Sequence, residues 1–194
     1  MKRYVIAGLL TALIAAIATT AAAQNIETKL GLYVTAKEAY DMWRADPEKV
    51  KILDVRTFAE YIFVGHPPMA YSIPAFFQTH RWDDKRDMFA MQPNPDFVAQ
   101  VKKWAEAGDP ILVTCRSGER GAMAVDLLAD AGFTNVYNIT DGMEGGIVKD
   151  PESVFKGRRM KNGWQNSGRP WTYEIDLNRV WIPEEFKAAV EQIN

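Results

Sequence analysis

The stretch ILVTCRSGERGAMAVDLLADAG, residues 111–132, carries the single cysteine of the chain, Cys115. Its first four residues, Ile111–Thr114, are a short β-branched, apolar run, and from about residue 120 to 132 apolar side chains recur at helical spacing. The thiol therefore stands where a strand ends and a helix begins. In open α/β sheets, ligands gather beyond the carboxyl ends of the strands. The start of the following helix offers backbone N–H groups without intrahelical partners and a partial positive charge. Gly118 permits a positive φ, so the linking loop can curl its amides into an anion-binding nest. Arg116 and Arg120 add guanidinium charges. A free cysteine titrates at about 8.5, and each of these influences favours its thiolate.

The flanking chain supplies the rest of an alternating pattern. VTAKEAYDMWRADP (residues 34–47) has Thr35 and Glu38 in capping-box spacing, with Ala39, Tyr40, Met42 and Trp43 on one helical face. VKILDVR then reads as a short strand ending at Asp54. Thr57 and Glu60 cap a brief helical turn that Gly65 and the Pro67-Pro68 pair close, and AYSIP is another strand. Residues 76–92, FFQTHRWDDKRDMFAMQ, read as a loop with helical pieces. Asn94 and Pro95 read as N-cap and first residue of a helix with Phe97, Val98, Val101, Trp104 and Ala105 on its apolar face and Gly108 as its stop. NVYNI (residues 135–139) is the last strand. Helices alternating with short apolar strands imply an α/β domain with a central, mainly parallel sheet.

The N-terminus is set apart from this pattern. Residues 1–23 join Lys2 and Arg3 to a long apolar run and a small-residue end, Ala21-Ala22-Ala23, which is the form of a secretory signal peptide. The alternative is a retained membrane anchor, since the run approaches the ~20 residues that span a bilayer. Cleavage leaves about 170 residues, enough for one domain with its own core, and takes the net charge from −2 to −4 by removing Lys2 and Arg3. The expected location is periplasmic or secreted, with no membrane attachment after cleavage. No basic face suggests nucleic acid. In an oxidising compartment a lone thiol either pairs between molecules or is reactive; a buried, inert cysteine is the plain alternative.

A cysteine cradled in this way serves phosphatases, which hold a phosphate over it, and sulfurtransferases, which hold one extra sulfur. Four residues separate Cys115 from Arg120, one fewer than in cysteine phosphatases, and the tighter ring suits a single sulfur. Position 114 is a threonine, not a histidine.

CRSGERG (residues 115–121), together with ILDVRTFAEYIFVGHPPMAYSIP (residues 52–74), resembles the rhodanese family in its single-domain form. The second block carries D-V-R, E-Y, G-H-x-P-x-A and I-P in the family's order. The resemblance implies a three-layer α/β fold, a central parallel sheet flanked by helices, and Cys115 as nucleophile carrying sulfane sulfur. The substrate cradle is then Arg116, Ser117, Gly118, Glu119, Arg120 and Gly121. Asp54 and Arg56 are supporting residues, with Asp54 expected to brace the cysteine loop by hydrogen bonds. The chemistry needs no metal and no organic cofactor. It needs a small anionic sulfur donor such as thiosulfate and a thiophilic acceptor, which can be a protein. A carrier or partner-binding module without turnover is the main alternative, and a phosphatase or arsenate reductase a more distant one.

Two departures stand out. Residues 147–161 interrupt the family's closing pattern, whose continuation is read at Trp164, Gly168 and Pro170, and the chain runs on past residue 171. An insertion and an extension are therefore expected, to bury a face, form a lid near the loop or make a partner surface. Glu119 reduces the formal charge of the loop to +1 and predicts modest affinity for a dianionic donor. His66 and His80 lack metal-ligand spacing, and His66 is expected to be a satisfied structural histidine. Trp164, Trp171 and Trp181 are read as core or interface aromatics, and Met69, Met88 and Met91 as gap-fillers.

Overall fold

The computed structural model describes residues 26–184 and residue 186; the expected signal segment, residues 1–23, lies outside them. Five short strands form the central sheet: β1 (Tyr33–Val34), β2 (Lys51–Asp54), β3 (Tyr71–Ser72), β6 (Ile111–Thr114) and β7 (Val136–Ile139). Their spatial order is β1-β7-β6-β2-β3, and every pairing is parallel. Strands β2 and β6 lie side by side at the centre, with Asp54 opposite Thr114. Two residues that follow them, Val55 and Cys115, therefore emerge at the same edge. All four residues of β6 are buried, as a parallel strand covered on both faces requires.

Alternation along the strands builds two core layers. Leu53, Ile111 and Val113 point to a layer that α3 (Phe97–Trp104) and α4 (Glu119–Asp130) cover with Phe97, Val101, Ala124, Val125 and Leu128. Ile52 and Leu112 point the opposite way, to a layer with Ala36 and Ala39 of α1 (Ala36–Ala45), Met143 and Trp164. Helix α1 starts with the expected capping box between Thr35 and Glu38. Helix α2 (Phe58–Val64) starts with the same device between Thr57 and Glu60 and ends at Gly65. Each cap satisfies two backbone groups that helix geometry leaves without partners.

Residues 76–92 are not a loop with helical pieces. They belong to an antiparallel hairpin, β4 (Phe76–Asp83) and β5 (Met88–Pro93), turning at residues 84–87 with Asp87 at positive φ. Much of it is exposed on both faces, so no apolar alternation marked it in the sequence. The helix read from Asn94 begins two residues later, with Asp96 in the capping position. Asn94 is instead a joint: its amide donates to the Pro74 carbonyl at 2.7 Å and its side-chain oxygen accepts from the Asp96 amide at 3.0 Å.

The segment after β7 forms a second small hairpin, β8 (Gly146–Ile147) with β9 (Arg159–Lys161). Beyond it the chain crosses back over α2 and β3. Thr172 bridges His66, and the Trp181 amide donates to the Ser72 carbonyl at 2.9 Å. Trp164 and Trp181 are core side chains, whereas Trp171 is more than a third exposed and lies over Gly65. Both ring nitrogens of His66 meet carbonyl oxygens, those of Tyr61 and Glu174, at 3.0 and 3.1 Å, as a structural histidine should. No helix among the described residues is long and apolar enough to cross a membrane.

Candidate functional site

Cys115 is the first residue past β6, three positions before the Gly118 that caps α4. Gly118 has φ +100°, and a Cβ there would run into the Thr140 carbonyl. Only glycine can hold this turn. The turn brings the Gly118 N–H back onto Cys115 Sγ, to which it donates at 3.1 Å. The loop is held from outside through its carbonyls. Cys115 and Arg116 accept from the amides of Met143 and Glu144 at 2.8 and 3.0 Å, and Gly118 accepts from the Asn138 side-chain amide at 3.1 Å. Gly142, at φ +57°, makes this approach possible, because a Cβ there would lie 2.6 Å from the Cys115 oxygen.

Cys115 packs within the main core, and its sulfur accepts the Gly118 N–H. Cys115 itself is almost wholly covered, yet it opens onto a cavity of about 730 Å³. Arg116, Ser117, Glu119 and Arg120 line this cavity. Gly118 and Gly121 are not among the lining residues: Gly118 reaches the site through its N–H on Sγ, and Gly121 packs against Asn138. Four arginines (86, 116, 120 and 159) and two glutamates (60 and 119) face it among the described residues, an excess of two positive charges.

The arginines play unequal parts. Arg120 is not free to close over the sulfur: its two terminal nitrogens donate to the two carboxylate oxygens of Glu60 at 2.7 and 2.6 Å. Burial alone would lower the Arg120 pKa, but the hydrogen bonds and charge of Glu60, with a smaller contribution from Cys115, outweigh it and hold the guanidinium above its ordinary value. Burial would likewise raise Glu60, yet the Arg120 hydrogen bonds and charge and the Thr57 cap bring it down to about 2. Arg116 is half exposed, with Nε 3.4 Å from a Glu144 oxygen. Glu119 lies 3.7 Å from Arg86, which offsets the negative charge read in the loop. Arg159 enters from the β8–β9 hairpin and donates to the Gly145 carbonyl at 2.7 Å. Its pKa is lowered by burial first and by the charge of Arg116 second.

The supporting residues are placed differently from the expectation. Asp54 does not hydrogen-bond the cysteine loop. Its carboxylate takes the Arg56 Nε and Nη2 at 2.9 and 2.6 Å, and the Arg56 backbone amide at 3.1 Å. Arg56 Nη2 also donates to the Gly65 carbonyl at 2.8 Å, and both side chains are fully buried. The pair pins the end of β2 to the end of α2 and lies outside the cavity wall. Glu60, Arg86, Met88, Phe89, Met123 and Arg159 also line the cavity, a placement that the sequence pattern does not imply. Glu60 could be read only as a cap, and Arg159 and Arg86 belong to hairpins that the local sequence did not reveal. Met88 is thus a wall residue rather than a gap-filler. The described residues contain no group of side chains able to hold a metal ion.

Residues 35–147 match the family model of the rhodanese-like domain. Thiosulfate sulfurtransferase 16 of Arabidopsis thaliana is 34% identical over 116 residues, covering 60% of this chain and 87% of that protein. The senescence-associated protein DIN1 of Raphanus sativus is 38% identical over 92 residues, 47% of this chain; the match spans only 45% of the radish protein. Among solved structures, Rv0390 from M. tuberculosis superposes with a TM-score of 0.55 at 28% identity, over 73% of this chain and 96% of its own.

Proposed function

The chain belongs to the rhodanese-like domain family, and on that premise we propose that it is a sulfurtransferase working through a persulfide on Cys115. One observation carries the reading: Sγ accepts the Gly118 N–H at the start of α4 while facing a cavity with excess positive charge. The thiolate form of a cysteine is the nucleophile in such chemistry.

In the first half-reaction, the Cys115 thiolate attacks the outer sulfur of thiosulfate. The new Sγ–S bond forms as the S–S bond of the donor breaks, and sulfite leaves with the bonding electron pair. The donor's negative oxygens face Arg116 and Arg159, whose guanidinium groups line the cavity. In the second half-reaction, a thiophilic acceptor attacks the outer sulfur and restores the thiolate. Covalent intermediates of this kind give ping-pong kinetics. Arg120 acts one step back: tied to Glu60, it fixes the first turn of α4 beside the cysteine loop. A short, closed loop matches one bound sulfur better than a phosphate. The reading also places the mature protein outside the cytoplasm, with residues 1–23 as its export signal. Residues 147–161 are then an insertion that serves the site through Arg159.

Thiocyanate formation from thiosulfate and cyanide tests the proposal. The wild-type protein turns over with ping-pong kinetics, and Cys115→Ser is inactive while retaining its fold. Equal activity in the two proteins, or activity on an aryl phosphate without thiocyanate formation, overturns it.

A further inference from the structure

The cavity over Cys115 is far larger than its first substrate requires. An inorganic anion such as thiosulfate fills a small part of about 730 Å³, and it needs only amides and guanidinium groups. Yet part of its lining is apolar. Met88, Phe89 and Met91 of the β4–β5 hairpin and Met123 of α4 all line the same space as Cys115. Met88, Phe89 and Met123 leave 41, 42 and 48% of their surface exposed, which is unfavourable without an occupant. Phe89 is supported from behind by Trp82, whose ring meets it edge-on at 5.3 Å. Met91 packs against the main core. This is a held wall with adaptable thioether tips, suited to varied apolar shapes.

We infer that this wall is an acceptor subsite, and that the cavity selects a thiol carried on an apolar body over a small polar thiol. The inference rests on the sulfurtransferase reading and specifies its second half-reaction. The acceptor's apolar body lies on Met88, Phe89 and Met123 while its sulfur reaches the persulfide. The acceptor thiolate attacks the outer sulfur; the Cys115 Sγ–S bond breaks and its electron pair returns to Sγ. The proton given up by the thiol is retained on the product hydropersulfide. In sum, R–SH and the Cys115 persulfide anion give R–S–SH and the Cys115 thiolate. The wall gives no such advantage to the donor step, where the departing group is a hydrated anion.

The test uses the full-length protein, first loaded with sulfur from thiosulfate and freed of excess donor. Loss of the persulfide is then followed with cyanide, 2-mercaptoethanol and phenylmethanethiol, the two thiols being of similar acidity. Phenylmethanethiol reacts with a second-order rate constant about tenfold above that of 2-mercaptoethanol, as removing roughly 60 Å² of apolar surface from water supplies. In Met88→Ser/Phe89→Ser, and separately in Met123→Ser on the other side of the cavity, the ratio of the phenylmethanethiol rate to the cyanide rate drops several-fold. Equal rates for the two thiols in the wild-type protein overturn the subsite, as does an unchanged ratio in both folded variants. An aryl thiosulfonate preferred at the loading step, with no preference among acceptors, assigns the wall to the donor and also overturns it. Failure to load any persulfide is a different result, because it brings down the underlying reading itself.

Discussion

Glu60 and Arg120, sixty positions apart in the chain, meet through two nitrogen–oxygen contacts of 2.7 and 2.6 Å beside the cysteine loop. The carboxylate caps α2 through Thr57 and anchors the first turn of α4 through Arg120. One side chain thus joins the helix that follows β2 to the helix that follows β6. Since those strands are neighbours in the sheet, the pair fixes the frame in which Cys115 sits.

The pair makes stability depend on acid. Glu60 titrates near 2 in the folded protein, below its ordinary value of 4.5. A depressed carboxylate contributes stability that is fully present above the unfolded value and is lost as pH falls through the folded one. The window therefore runs from about pH 5 down to about pH 2, and the contribution is about 3 kcal/mol at neutral pH. Glu60→Gln lowers the urea midpoint at pH 7, and its difference from wild type narrows towards zero by about pH 2. A difference that does not vary with pH contradicts the role given to the charge.

Glu119 and Arg86 give a prediction on binding. Their 3.7 Å contact lies at the exposed rim of the cavity. Glu119→Lys makes the rim more positive and lowers the Michaelis constant for thiosulfate about threefold, a gain in the range of exposed charge interactions. The gain shrinks in high salt. A steady-state comparison at two ionic strengths checks this, and an unchanged or higher constant shows that Glu119 does not act on the donor.

Arg56 and Asp54 form a fully buried pair outside the cavity wall. Arg56→Met leaves the Asp54 carboxylate buried without its counter-ion and destabilises the fold by about 3–5 kcal/mol. The folded fraction of the variant, measured below its midpoint, still forms thiocyanate with a Michaelis constant for thiosulfate close to wild type. A large rise in that constant with little loss of stability would place Arg56 at the substrate instead.

What the sequence made legible was local. Ile111–Thr114, the cysteine, the glycine at positive φ and the α4 periodicity are consecutive, so the strand, nest and helix could be read from neighbours alone. The capping boxes at Thr35 and Thr57 were legible for the same reason. What escaped depended on the third dimension. Glu60 carries a cap motif that conceals its second partner, and Asp54 turns towards Arg56 because both are excluded from water. The β4–β5 hairpin carries charged and apolar residues without a clean two-residue period, since neither face is fully covered. Met88, Phe89 and Met91 lie on that hairpin, so the apolar part of the cavity lining was hidden with it.

A persulfide on Cys115 is tested most directly by the mass of the intact protein after brief exposure to thiosulfate and removal of the donor. It predicts a gain of one sulfur atom, located on the peptide that contains Cys115, lost on adding cyanide and absent from Cys115→Ser. An unchanged mass in protein whose thiol still reacts with an alkylating reagent would contradict it, because the sulfur would be accessible and ionised yet unable to take up a second one.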